Sequence, residues 1–99
     1  MTVETNIDEN SKRVTISIEG AFGFSLVQEF RSAYIDKKEY GFVIDLRKVD
    51  YIDSAGLGML LNMHKYIGQG DKSIAITNTL PQVKKILLIS RFDKKFSID

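Results

Sequence analysis

The sequence predicts one α/β domain spanning residues 1–99: a small mixed, mostly parallel sheet, opened by an N-terminal β-hairpin, with helices packed on it. Period-two apolar alternation runs through residues 13–19, and helical spacing marks residues 26–34 and 57–67. Strand-like apolar runs at 42–46 and 73–77 follow those helical stretches in turn. Strands that alternate with helices need crossover connections, and crossovers make neighbouring strands parallel. A chain of 99 residues can close a single core without metals or disulfides. Its 43% apolar and 27% charged residues are the balance of a folded rather than a disordered chain.

Val3 to Ile7 reads as a short strand, Asp8 to Ser11 as a turn, and Arg13 to Glu19 as a strand with Val14, Ile16 and Ile18 on one face. Gly20 to Phe24 reads as a loop. Ser25 with Gln28 fits a capping box for a helix in which Leu26, Phe30, Ala33 and Tyr34 recur, running on toward Gly41. Phe42 to Leu46 is apolar except for Asp45, as expected of a strand buried on both faces. Leu57, Leu60, Leu61, His64 and Ile67 mark the stripe of a second helix, ended by Gly68 and Gly70. Ser73 to Thr77 is another strand. Thr79 with Gln82 makes a second capping box, Pro81 falls in the first turn, and Val83, Ile86, Leu87 and Ser90 continue that helix. The tail from Phe92 to Ile98 is expected to add a short edge strand.

Several function classes fall away. The net charge is +1 with acids and bases interspersed, so no one-sided positive field invites nucleic acid or an anionic membrane. There is no cysteine, which excludes disulfides, thiolate catalysis and cysteine-zinc sites. No uncharged apolar stretch approaches the ~20 residues of a membrane span, and residues 1–9 carry no apolar signal core, so a cytoplasmic location without membrane insertion is expected. Ser54 is not in a nucleophile elbow, because Ile52 stands where the first glycine belongs. His64, the only imidazole, lies along the same helix and roughly 15 Å away at 1.5 Å per residue. The run Gly56-Leu57-Gly58-Met59-Leu60-Leu61 begins like a dinucleotide fingerprint but ends in leucine, with no Walker lysine after it. Asp45, Asp50 and Asp53 could suggest a divalent metal site, but Asp50 and Asp53 are expected to cap turns or stay solvated instead, and His64 to be a half-buried helix residue. No catalytic residue, cofactor or metal is expected.

What remains is Asp53-Ser54-Ala55-Gly56-Leu57-Gly58, between a buried strand and a helix. Serine is a preferred N-cap, so Ser54 can be a plain structural cap. Capping does not account for Gly56 and Gly58, each costing ~1 kcal/mol relative to alanine inside a helix. Together they are expected to bare the backbone to another protein's surface. A phosphate on Ser54 would sit at the positive end of the helix, where the fold tolerates it. Beside Asp53 the same charge would repel an acidic or apolar partner. A penalty of about 2–3 kcal/mol weakens binding roughly 30- to 150-fold, enough for a switch. On the residues alone both readings stand.

The stretch Val43-Ile44-Asp45-Leu46-Arg47-Lys48-Val49-Asp50-Tyr51-Ile52-Asp53-Ser54-Ala55-Gly56-Leu57-Gly58-Met59-Leu60-Leu61 resembles the signature of STAS domains in the branch of anti-sigma factor antagonists. The resemblance takes in the N-terminal hairpin, a turn at Gly20 to Phe22 and the last helix, ended by Phe92. It implies a STAS fold and a partner-switching regulator with no catalysis of its own. Ser54 would be the phosphoacceptor of an ATP-dependent serine kinase that is also the anti-sigma factor. The unmodified form would bind that partner and free its client, and a PP2C-type phosphatase would reset the modified one. Asp53, Ala55, Gly56, Leu57 and Gly58 would form the contact rim, and Ser54 would both cap the helix when bare and block the partner when phosphorylated. One departure stands out: many antagonists carry an aspartate where this chain has Gly23. STAS chains that dock on the ATPase of a lipid-transport ABC complex are the alternative.

Overall fold

In the computed structural model, described for residues 2–68 and 74–99, five strands form one sheet in the order β1-β2-β3-β4-β5. The elements are β1 (Thr2–Asp8), β2 (Arg13–Phe22), α1 (Val27–Tyr34), β3 (Gly41–Ile52), α2 (Ser54–Ile67), β4 (Ile74–Thr77), α3 (Pro81–Ile89) and β5 (Ser97–Ile98). Short 3-10 turns at Phe24–Leu26 and Phe92–Lys94 precede α1 and β5. β1 and β2 pair as an antiparallel hairpin, and every later pair is parallel, as crossover connections require.

Alternation along the strands decides which face is covered. Val14, Ile16 and Ile18 of β2, Phe42, Ile44 and Leu46 of β3, and Ile74 and Ile76 of β4 are buried together with Phe30 of α1, Leu60 and Met63 of α2 and Leu87 of α3. The opposite face, with Thr15, Ser17, Val43, Asp45, Ala75 and Thr77, stays half-buried. β3 is therefore not buried on both faces; its burial alternates because the helices cover one side of the sheet only.

The strands run further than their apolar cores. β2 continues through Gly20, Ala21 and Phe22, where a loop was expected, and β3 continues to Ile52. Register shifts between Ser17 and Ala21 let the two strands stay paired, with Glu19 opposite Lys48, Ala21 opposite Tyr51 and Phe22 opposite Ile52. Such bulges disrupt simple alternation, which is why this extension is hard to see in a period-two pattern.

A 3-10 turn precedes α1, and the capping box expected at Thr79 is replaced by another contact. Ser25 lies inside the 3-10 turn, whose Leu26 N–H donates to the Gly23 carbonyl at 3.0 Å, so the chain enters α1 already wound. Leu26, which precedes α1, makes no side-chain cap. Thr79 donates its hydroxyl to the Asp99 carbonyl at 2.8 Å, tying down the tail, and Leu80 precedes Pro81 at the start of α3. Along α2 the buried stripe is Gly56, Met59, Leu60, Met63 and Ile67, whereas Leu57 and His64 are half-buried and Leu61 is exposed. Gly68, left-handed at φ 56°, closes α2 through its N–H to the His64 carbonyl. Gly70 and Ser73 lie outside the described residues. The tail anchors through buried Phe96, which stacks on Phe92 and meets the His64 ring edge-on. Among the described residues no helix is long and apolar enough to cross a membrane.

Candidate functional site at the start of the second long helix

Asp53 is the N-cap of α2: its backbone is extended, and its carboxylate accepts the Gly56 N–H at 2.9 Å. Its carbonyl accepts the Leu57 N–H at 3.0 Å, the first bond of the helix. Ser54 therefore does not cap α2, contrary to expectation. It is the first residue of the helix, exposed, and among the described residues its hydroxyl has no hydrogen-bond partner. Asp53 already satisfies an otherwise orphaned amide, so the serine side chain is released from structural duty.

Two glycines build this junction by leaving space. At Gly56 a Cβ would fall 2.3 Å from the Phe22 carbonyl oxygen and 2.8 Å from Ile52 Cγ1, so the end of β2 can close over the first turn of α2 only if residue 56 has no side chain. Gly56 is buried and does not bare the backbone as expected. At Gly23 a Cβ would lie 2.7 Å from Asp53 Oδ2, which means the gap left by that glycine is occupied by the capping carboxylate. Gly58 does match the expectation: a Cβ there would meet nothing within 4 Å, leaving bare backbone one turn beyond Ser54.

Exposed apolar side chains occur on the segments that lead to and from this junction. Phe24, next to Gly23, is 80% exposed, and Val27, Tyr51 and Leu61 are exposed as well. Leu57 and Leu61 stand one helical turn apart, and Leu57 is half-buried beside the serine's turn. Sequence reading placed Phe24 in a loop and Leu61 in the core; the signal that would have found Phe24 is a large aromatic directly after a glycine, outside any apolar period.

The other candidate residues disperse. Asp45 belongs to the half-open sheet face, where its carboxylate accepts the Arg47 N–H at 3.0 Å and the Asn78 side-chain amide at 3.2 Å. Burial opposes its ionisation, but these two bonds and the Arg47 guanidinium overcome it and hold the pKa below 3.8. Among the described residues no three His, Asp or Glu side chains converge as a metal site. The 430 Å³ depression on the open sheet face, lined by Glu4, Ser17, Glu19 and Arg47, does not include Ser54.

Comparison with known proteins follows the same outline. The family model described as Mlab, STAS domain matches residues 5–98. The chain is 41% identical over 93 residues to a STAS-domain containing protein of Pseudomonas aeruginosa strain UCBPP-PA14, covering 90% of each chain. It is 34% identical over 67 residues to BtrV of Bordetella bronchiseptica, a protein assigned provisionally as an anti-sigma factor antagonist, covering 68% of this chain and 58% of that one. Among solved structures, the anti-sigma factor antagonist SpoIIAA in its unphosphorylated form superposes with a TM-score of 0.72 at 15% identity, covering 99% of this chain and 87% of the other. The phosphorylated form of SpoIIAA, a Bacillus cell fate determinant, gives 0.71 at 16% identity, covering 99% of this chain and 91% of the other. With a hairpin-led, mostly parallel sheet, an Asp-Ser-Ala-Gly-Leu-Gly helix start and these relatives, the chain belongs to the STAS-domain family, in an anti-sigma factor antagonist-like fold.

Proposed function

We propose that this protein is an anti-sigma factor antagonist that works by partner switching, with Ser54 as the phosphoacceptor. The observation that carries the reading is the division of labour at the start of α2. Asp53 does the capping, and among the described residues Ser54 stands exposed with no internal side-chain bond to break. A kinase can therefore reach the hydroxyl without unfolding anything. The added charge of about −1.5 to −2 would face the positive end of α2, so the modified chain stays folded. The bare form would present Asp53, Ala55, Leu57 and Gly58 to its partner, an anti-sigma factor with serine kinase activity, while Gly56 supports the rim from below. Phosphate at the centre of that surface would have to be desolvated on docking, and it adds repulsion to Asp53. Release of the partner follows, and a PP2C-type phosphatase would restore the binding form. The chain itself supplies a substrate serine and a surface, and no catalysis. Support comes from the sequence relative assigned as an antagonist and from a fold neighbour known in phosphorylated and unphosphorylated forms.

The test is incubation with ATP and any serine kinase of the anti-sigma factor type found among the neighbouring genes, followed by phosphosite mapping. Phosphate at Ser54 and loss of partner binding in Ser54→Asp are expected, with Ser54→Ala binding constitutively. A chain that is never modified at Ser54, and instead co-purifies with a transporter ATPase whatever stands at position 54, would overturn the proposal.

A further inference from the structure

The sheet has unequal edges. β5 exposes only the two residues Ser97 and Ile98, a length too short to template another strand. β1 exposes seven, Thr2 to Asp8, on the far side of β2. Proteins guard such an edge with charged side chains, lysine above all, with proline or with a bulge, and β1 carries only the two acids Glu4 and Asp8. β1 contains neither lysine nor proline, and its register with β2 is unbroken through all seven pairs. It also leaves Ile7 42% exposed, on the face that carries Val3.

We propose that β1 is a self-association edge: two copies pair antiparallel through β1 about a two-fold axis at Thr5, joining both sheets into one. The occupant is a second copy because β1 is complementary to itself in that register. Val3 of one copy meets Ile7 of the other, covering the exposed isoleucine; Glu4 meets Asn6, Asp8 meets Thr2, and Thr5 meets Thr5. This is the only antiparallel register that uses the full strand. Sliding by two residues one way sets Glu4 against Glu4, and the other way sets Glu4 against Asp8, so like charges reject both. The full-length register also keeps the helices of both copies on one side of the joined sheet. The β3 strands of the two copies then run in opposite directions, so the Ser54 segments point away from each other and stay open. The inference is independent of what Ser54 does.

The chain's lack of cysteine makes the register directly readable. Sedimentation of the unmodified protein over a concentration series reaching the millimolar range is expected to show a reversible monomer–dimer equilibrium. Thr5→Cys is expected to form a covalent dimer on mild oxidation, and Asp8→Cys, which faces Thr2, to remain largely monomeric. Asn6→Glu, at an exposed position, sets two acids opposite each other and is expected to weaken the dimer about tenfold, with an unchanged far-ultraviolet spectrum. Combining it with Glu4→Lys is expected to restore association. A parent that sediments as a monomer throughout, or an Asp8→Cys variant that cross-links as readily as Thr5→Cys, would overturn the proposal.

Discussion

Gly56 and Gly58 stand two positions apart in one helix and answer to opposite demands. Gly56→Ala drives a methyl into the Phe22 carbonyl, and overpacking of this kind costs roughly 1–3 kcal/mol. Gly58→Ala enters open space, so the better helix former is expected to raise stability by up to ~1 kcal/mol. Urea denaturation of the two variants should therefore show midpoint shifts of opposite sign. The same measurement separates cap from switch: Asp53→Ala should cost about 1 kcal/mol and Ser54→Ala only a few tenths. The gap at Gly23 couples these residues, since a side chain there collides with the Asp53 carboxylate. Gly23→Ala is accordingly expected to destabilise the natural chain more than it destabilises Asp53→Ala, a non-additivity that a double-mutant cycle reads. In this structure, a side chain at position 23 requires the Asp53 carboxylate to shift.

Among the elements, what the sequence declared was what local periodicity controls. The hairpin, the helices' existence and the edge position of the tail all rest on alternation, helical spacing or turn residues, and each is present. The continuation of β2 and β3 was hidden because bulges break the period, and the one-sided burial of β3 because an apolar run does not say how many layers cover it. The α2 stripe was misplaced by treating Leu57 and Leu61 as core in place of Gly56, Met59 and Met63; a glycine that faces inward carries no hydrophobic signal. The segment around Ser54 stood out in the sequence as a candidate, but not the division of capping between Ser54 and Asp53, since both residue types make good caps. On β3, Asp45 gives a testable pH dependence. Burial disfavours its charged form, yet the Arg47 amide, Asn78 and the Arg47 guanidinium prevail, so the folded pKa lies below 3.8. A depressed folded pKa contributes stability that is complete above the unfolded value and is lost as pH falls through the folded one. Asp45→Asn should therefore lower the urea midpoint at neutral pH and flatten its decline below about pH 4.

For the molecule as a whole, the tail closes the core. Phe96 is fully buried against Phe92 and His64, and the Asp99 N–H donates to Ile76 at 2.9 Å. Phe96→Ala is expected to cost about 3–5 kcal/mol, a large share of the ~5–15 kcal/mol that holds such a domain together, and a calorimetric scan would show a markedly lower Tm. The parallel pairing of β2 with β3 also gives the molecule a direction. Phe22 pairs with Ile52 beside the Ser54 segment, and Arg13 pairs with Gly41 at the other end. The ten residues of β2 separate those ends by roughly 30 Å. The tight bend between β1 and β2, where Asp8 Oδ1 accepts the Asn10 N–H at 3.0 Å, thus sits at the opposite end of the sheet from the proposed docking surface. That bend is a natural attachment point: a fluorophore or affinity handle grafted between Asn10 and Ser11 should report on binding at the opposite pole without touching it.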